Sequence, residues 1–155
     1  MRFGKWIVAL LILSCVIASQ ASAQERRLKR ADLPAAVQKT ADQESQGATV
    51  RGYSSEKNGD QLEYEVAMTV HGHNRDVTIA GDGTVLEIEE EVALDSLPAP
   101  VRAGLLQLAG SGEIINVESL TKHGALVAYE AHVRTGAKRS EIQVGPDGKP
   151  LAHPE

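Results

Sequence analysis

Carboxylates that alternate with apolar residues are the strongest chemical feature of this sequence. Glu63 and Glu65 alternate with apolar residues in one segment, and Glu87 and Glu89 do so in a second segment. Side chains at positions i and i+2 of a β-strand project from the same face of its sheet. Together with two residues of a later strand, these carboxylates should therefore share one exposed sheet face. The residues predicted for this face are Glu63, Glu65, Glu87, Glu89, Glu130 and His132.

Paired carboxylates could hydrolyse a glycoside, bind a cation or bind a basic partner. Hydrolysis requires one carboxylic acid to be buried enough to raise its pKa, and nothing in the sequence predicts an enclosure around these residues. Ser111 lies between two glycines but follows a predicted helix, whereas a nucleophile elbow needs a strand-to-helix turn. The sequence also lacks the glycine-rich fingerprints of phosphate and dinucleotide sites. We therefore expect a protein that is not an enzyme and needs no cofactor.

Two histidines, His71 and His73, flank Gly72 at a predicted hairpin tip. Imidazole suits zinc and copper, but two ligands are too few for a protein site. Asp82 and Asp147 each precede a glycine, and turn chemistry explains both positions, because a calcium loop needs several oxygen ligands at fixed spacing. We expect no metal site, and His71 and His73 are the weak candidates that remain.

The charge balance argues against nucleic acid as a partner. The chain has 16 Lys plus Arg and 21 Asp plus Glu, and removing Arg2 and Lys5 with a leader would change the formal charge from −5 to −7. Nucleic-acid binding draws most of its affinity from phosphate neutralisation by basic residues. The three tyrosines that would remain as aromatic residues are too few for a base-stacking surface.

The first residues are typical of an export signal. Residues 1–5 are cationic, residues 6–18 are apolar, and Ala21 and Ala23 are small residues before a cut at Gln24. We expect residues 1–23 to be a signal peptide and the protein to be periplasmic or extracellular. The apolar run is shorter than the ~20 residues that cross a bilayer, so no stable membrane insertion should follow cleavage.

Cys15, the single cysteine of the chain, lies within the apolar run. It follows Ile12, Leu13 and Ser14, which loosely resemble the box before a lipid-modified cysteine. A lipoprotein anchored at Cys15 is therefore the minority alternative for localisation.

An internal repeat organises the rest of the chain. Residues 32–37 (DLPAAV) are echoed by residues 96–101 (SLPAPV), and Gly81-Asp82-Gly83 is echoed by Pro146-Asp147-Gly148. We infer two units, 31–92 and 95–155, after a basic N-terminal arm at 24–30. The arm should be mobile, because only Leu28 could anchor it.

Each unit should open with a helix and continue as a meander of strands. Asp32 or Ser96 should provide the helix cap, with Pro34 or Pro98 in the first turn. Period-two alternation and turn residues then predict four antiparallel strands in each unit. The predicted strands are 48–56, 62–70, 75–80 and 84–91, and then 113–121, 127–133, 138–144 and 149–152.

The two units should share one core. A unit of ~60 residues buries only about 60% of its unfolded surface and is marginal alone. Joining edge strands would give an α+β fold with one eight-stranded antiparallel sheet, both helices on one face and the other face open. We expect this molecule to be a monomer.

The Leu-Pro helix starts, the Tyr-Glu strands and the Asp-Gly turns resemble the PepSY-like domain of secreted bacterial proteins. Their tandem arrangement resembles the β-lactamase-inhibitor-like fold. This resemblance implies a non-catalytic envelope or extracellular domain that inhibits or binds partner proteins, with no shared catalytic residues.

The sequence therefore predicts a secreted or periplasmic protein-binding module, an inhibitor among its possible roles, that acts through the open sheet face on an unidentified protein. The alternative is an envelope protein that binds a small ligand or a metal ion.

Overall fold

A computed structural model describes residues 25–155. The predicted signal peptide at 1–23 and the lipid-anchor candidate Cys15 lie outside these residues. The helices are α1 (Ala35–Glu44) and α2 (Ala99–Ala109), preceded by 3-10 turns at Arg30–Asp32 and Leu94–Ser96. The strands are β1 (Arg26–Leu28), β2 (Thr49–Asn58), β3 (Gln61–Val70), β4 (His73–Ala80), β5 (Val85–Glu91), β6 (Glu113–Lys122), β7 (Ala125–Thr135) and β8 (Lys138–Val144).

The eight strands form one sheet in chain order, and each strand is antiparallel to its neighbours. This architecture confirms the α+β prediction and the single antiparallel sheet. Within residues 25–155, neither helix has the length and apolarity that a bilayer crossing requires.

Both helices pack on the same face of the sheet. Directly opposite residues of antiparallel strands share a face, and the pairing links Val66 of β3 through Val77 to Ile88 of β5. Ile88 lies opposite Thr121, which shares its face with Val117 of β6. The two buried clusters are therefore on one side. They comprise Leu33, Val37, Ala41, Val66, Met68, Val77 and Ile79 under α1, and Leu97, Val101, Leu105, Val117, Ala131 and Val144 under α2.

The helices begin after the prolines, two residues later than a cap at Asp32 or Ser96 would place them. Leu33 and Leu97 are extended, with ψ of 147° and 150°, because a following proline disfavours the helical conformation. Asp32 instead accepts a hydrogen bond from the backbone N–H of Lys29 at 2.9 Å. The predicted caps are therefore wrong, and these residues shape the 3-10 turns.

The basic arm is not mobile, contrary to the prediction. Arg26–Leu28 form β1, in which Arg27 lies opposite Ser54 and Leu28 lies opposite Tyr53 of β2. The side chain of Leu28 packs against the cluster under α1. One apolar residue and three backbone pairings are thus enough to hold this segment as the first strand.

The strand predicted at 149–152 is also wrong. The chain makes only an isolated bridge between Val144 and Pro150 before it leaves the sheet. Proline has no N–H to donate to a ladder, so Pro150 and Pro154 prevent a ninth strand. The second half of the chain therefore has one strand fewer than predicted, and the unpredicted strand β1 brings the sheet to eight strands.

Two matching turns hold the sheet against the helices. The backbone N–H of Gly83 donates to the carbonyl of Ala80 at 2.9 Å, and that of Gly148 donates to the carbonyl of Gly145 at 2.8 Å. A Cβ on Gly83 would meet the backbone of Ala36 in α1 at 3.0 Å. Both glycines have positive φ, 91° and 80°, which glycine adopts without strain.

Candidate functional site on the open sheet face

All six residues predicted for the exposed face lie on the side of the sheet opposite the helices. Glu63 and Glu65 alternate with buried Val66 and Met68 on β3, and Glu87 and Glu89 flank Ile88 on β5. The last two, Glu130 and His132, flank buried Ala131 on β7. We call this side, which neither helix covers, the open sheet face.

The structure adds Asp76 and Glu118 to this face, which the sequence analysis missed. Asp76 lies opposite Ala67 and Glu89, and Glu118 lies opposite Glu91 and Glu130. A bulge at Ile115, between paired Ile114 and Asn116, shifts the alternation of β6. Simple alternation therefore assigns Glu113 and Glu118 to opposite faces, although both lie on the open sheet face.

Like charges lie directly opposite each other across the centre of this face. Glu91, Glu118 and Glu130 are successive partners on β5, β6 and β7, and Asp76 is the partner of Glu89. Like charges in directly opposite positions destabilise a sheet. We call Glu91, Glu118 and Glu130 the acidic row.

Burial makes these carboxyls harder to ionise. Burial, followed by repulsion from Glu118, Glu87 and Glu130, raises the pKa of Glu89 to about 7. Burial and then the charge of Asp76 raise the pKa of Glu65. The central carboxyls of the face are therefore crowded and partly withdrawn from water.

Basic residues neutralise only some of these carboxylates. Arg51, the bulged residue of β2, bonds Asp76 at 2.8 Å, although burial still raises the pKa of Asp76 above its ordinary value. Lys122 lies 3.7 Å from Glu87, whose pKa burial also raises. Within residues 25–155, no ion pair reaches Glu65 or Glu89.

His132 lies among carboxylates at one end of the acidic row. Its Nε2 is 3.4 Å from Oε2 of Glu118 and 3.7 Å from Oε1 of Glu130. Its Nδ1 is 3.5 Å from Oε1 of Glu141 on β8. Among the residues that the structure describes, Glu118, Glu130 and His132 are the one group of three whose ligand atoms lie mutually within 4.8 Å.

The hairpin histidines are not brought to this group. His71 and Gly72 form the β3–β4 turn with φ of 50° and 90°, and His73 begins β4. Both histidines are exposed. Neither belongs to a group of three metal-ligating residues within the described part of the chain, and the expectation that these two weak candidates form no metal site stays a prediction.

The C-terminal residues pass beside the acidic row. The backbone N–H of Glu155 donates to Oε1 of Gln143 at 2.8 Å, and the Glu155 carboxylate lies 4.0 Å from Nζ of Lys122. Glu130 and Glu141 line a groove of about 440 Å³ together with Pro154 and Glu155. One end of the open sheet face is thus bounded by the chain itself.

No family model and no curated protein match this sequence. Several solved structures share its fold. A BLIP-like protein from Bacteroides fragilis is 18% identical, covers 77% of this chain and 83% of its own, and has a TM-score of 0.58. A candidate periplasmic protein from Bacteroides eggerthii is 18% identical, with 77% and 86% covered and a TM-score of 0.63.

A DUF2874 family protein from Bacteroides ovatus is also 18% identical, with 77% and 84% covered and a TM-score of 0.61. The chain therefore has a BLIP-like α+β fold, with an acidic, uncovered sheet face. At this level of identity the likeness extends to the fold and not to the residues of the site.

Proposed function

We propose that this chain is an exported, non-enzymatic and monomeric binding protein whose open sheet face binds a basic surface of a partner protein. The observation that carries this proposal is the crowding of carboxyls on β3 and β5: within residues 25–155 no ion pair reaches Glu65 or Glu89, and neighbouring carboxylates repel each of them. A partner that placed a lysine or arginine there would offset this repulsion. Inhibition of that partner is one possible outcome of such binding.

The dimensions of the face suit a protein partner. Eight strands spaced by about 4.8 Å span roughly 34 Å, and seven of them, β2–β8, have seven to eleven residues, which gives an area on the order of 800 Å². A standard protein interface buries about this area on each partner.

Binding explains the carboxylates better than hydrolysis does. Burial does raise the pKa of Glu89 to about 7, contrary to the expectation from sequence, but the carboxylates lie side by side on a sheet face that no helix covers, whereas a glycosidase places its two carboxyls on either side of a bound sugar. The periplasm or the exterior of the cell is the compartment we propose, because the N-terminal sequence has the features of an export signal and one structural neighbour is a candidate periplasmic protein.

We also propose that the sheet consists of two tandem copies of one unit, with boundaries that differ from those inferred from sequence. The order strand, 3-10 turn, helix and three strands occurs twice, over 26–80 and 85–144. Arg27 lies opposite Ser54, and the residues 64 positions later, Glu91 and Glu118, also lie opposite each other. The bulge after Val50 is matched by the bulge after Ile114.

A capture experiment with matched variants tests the binding proposal. The test variant carries Glu65→Gln, Glu87→Gln and Glu89→Gln on the open sheet face. The control variant carries Asp60→Asn, Glu90→Gln and Asp95→Asn, which removes the same charge from exposed positions elsewhere. Each purified protein is used as bait for an envelope extract, and the enriched protein is then purified and titrated against all three.

The wild type and the control should enrich the same basic protein, and the test variant should bind it at least tenfold more weakly. Raising the salt concentration should also weaken binding, because exposed charges are screened. Capture of no specific protein, or equal binding by the test variant and the wild type, would contradict the proposal.

A further inference from the structure

Glu118, Glu130 and His132 present three ligand atoms to one point above the open sheet face. Asn116 and His132 are cross-strand partners, as are Glu118 and Glu130, so the three ligands occupy neighbouring positions on two paired strands. The Glu118 and Glu130 side chains are 15% and 16% exposed, and that of His132 is 33% exposed. The backbone hydrogen bonds between β6 and β7 thus fix the positions of the three Cα atoms relative to one another.

Each ligand is also oriented by a neighbour outside the group. The side-chain amide of Asn116 donates to Oε1 of Glu118 at 2.8 Å, which leaves Oε2 directed at His132. The side-chain amide of Gln143 donates to Oε2 of Glu130 at 2.6 Å, which leaves Oε1 directed at His132.

The other ring nitrogen of the histidine, Nδ1, faces the Glu141 carboxylate at 3.5 Å. Metal-ligating histidines typically donate their second ring N–H to a carboxylate, and Glu141 is the carboxylate that lies beside Nδ1 here. The bonds from Asn116 and Gln143 distinguish the group from a set of repelling surface carboxylates, because each bond leaves the other oxygen of its carboxylate free and directed at His132.

We propose that Glu118, Glu130 and His132 bind a zinc ion through Oε2, Oε1 and Nε2. Zinc bonds nitrogen and oxygen at about 2.0–2.1 Å, so tetrahedral ligands lie about 3.3 Å apart. The observed separations from Nε2 are 3.4 and 3.7 Å, and all three ligand atoms lie within 4.8 Å of one another, so the carboxylates need to close inward around the ion. A nitrogen ligand with two carboxylates favours zinc over calcium, which takes oxygen ligands.

The ion would offset the repulsion along the acidic row. Glu91, Glu118 and Glu130 are successive cross-strand neighbours, and a divalent cation at Glu118 and Glu130 neutralises two of them. Three protein ligands leave the fourth zinc position to water. This site does not depend on the protein-binding role, because the open-face test variant described above changes none of its ligands.

Calorimetric titration with zinc chloride tests the site. The purified full protein is first freed of metal with EDTA and dialysed. The wild type should bind one zinc per chain, and His132→Ala or Glu118→Gln should weaken binding at least tenfold. His73→Ala, an exposed hairpin histidine, and Glu63→Gln, a carboxylate of β3 on the same face, should bind zinc within twofold of the wild type.

Two further measurements separate the loss of a zinc ligand from the loss of the fold. Thermal melting of each metal-free variant shows whether the fold is retained, and a variant that melts like the wild type but loses zinc has lost a ligand. In ¹⁵N-labelled protein, zinc should shift the Nε2 resonance of His132 and leave those of His71 and His73 in place.

Several results would overturn the proposal. They are no zinc binding by the wild type, zinc binding that His132→Ala leaves unchanged, and loss of zinc in His73→Ala, which would place the ion at the hairpin. Calcium binding with equal affinity and no dependence on His132 would show an oxygen-only site and would also contradict the proposal.

Discussion

Glu89 lies where cross-strand pairing concentrates negative charge. Its cross-strand partners are Asp76 on β4 and Leu120 on β6. The first is acidic, and the second is an apolar side chain that excludes water and cannot donate a hydrogen bond. The pKa of Glu89 is raised to about 7, chiefly by burial. The ionisation of this single carboxyl thus makes the free energy of unfolding depend on pH near neutrality.

Glu89→Gln should therefore stabilise the protein above neutral pH. A carboxyl with a folded-state pKa above its unfolded value binds its proton more tightly in the folded state, so stability is full at acid pH and falls as pH rises through about 7. Allowing for solvent screening of this partly exposed group, the variant should gain about 1–2 kcal/mol at pH 8 and little at pH 4. Urea denaturation at both pH values, with EDTA present, measures the difference.

The neighbouring substitution Glu90→Gln provides the control for net charge, since Glu90 is exposed on the helix-bearing face opposite Arg75. It should not reproduce the gain at pH 8. A Glu89→Gln protein that is less stable than the wild type at pH 8 would show that the Glu89 carboxylate is stabilised by its surroundings rather than repelled by them.

At the scale of elements, the contact between α2 and the turn after β8 has no spare volume. A Cβ on Gly104 would overlap the carbonyl oxygen of Gly148 and would lie 3.2 Å from Cγ1 of Val144. The corresponding contact in the first half is looser, because Thr40 of α1 reaches the carbonyl of Gly83 through a 2.8 Å hydrogen bond from its hydroxyl. Similar turns thus hold the two helices at different distances.

Gly104→Ala should destabilise the fold although alanine is the better helix former. Helix propensity favours alanine by about 1 kcal/mol, but the overlap with Gly148 forces α2 away from the sheet, and overpacking of this kind costs about 1–3 kcal/mol. Thermal and urea unfolding should therefore show a net loss. Gly52→Ala in β2 is the control for an added methyl group, because a Cβ there meets nothing within 4 Å. A gain in stability for Gly104→Ala would mean that α2 can shift freely.

The sequence could predict the elements whose patterns are local. Leu-Pro marked the start of each helix region, and period-two alternation located strands such as β3 and β7 within a few residues. The alternation could not place β1, whose three residues include one apolar side chain, nor could it foresee that Pro150 would limit the last strand to one bridge.

The reliance on local alternation also explains which residues of the candidate site could be predicted from the sequence. Glu63, Glu65, Glu87 and Glu89 were assigned to the correct face because their strands alternate regularly around them. Glu118 was missed because the bulge at Ile115 changes the parity of β6. Its approach to His132 depends on the pairing of β6 with β7, which local pattern does not specify.

At the scale of the whole molecule, one sheet joins two separate hydrophobic clusters. The cluster under α1 includes Ile88 of β5 as a partly buried neighbour, and the cluster under α2 includes Val92 just after that strand. β5 and the residue that follows it therefore contribute to both clusters, and β5 pairs with both β4 and β6. Loss of packing under either helix should therefore disturb β5, and through β5 the half of the sheet that lies under the other helix.

We expect the two halves to unfold together. Leu33→Ala and Leu97→Ala truncate residues that are 4% and 7% exposed in different clusters, and each should cost ~2–5 kcal/mol. Hydrogen exchange of amides in β3 and β7 should report the same loss for either variant. Separate losses, confined to β3 for Leu33→Ala and to β7 for Leu97→Ala, would instead show two independent folding units.

The two outer strands of the sheet carry a further consequence for assembly. The inner edge of β4 is covered by β5, and in the proposed tandem repeat β8 corresponds to β4 and β1 to β5, at the two ends of the sheet. A second molecule could therefore add its β1 to β8 of the first, and because such a contact is head-to-tail it would continue as a filament rather than close. Continuing the β4–β5 register, that addition would bring Arg27 beside Arg139, and Pro150 already pairs with Val144 at the C-terminal end of this edge. Like charge at both ends thus opposes fibre growth, and Arg139→Glu should increase concentration-dependent association in sedimentation velocity.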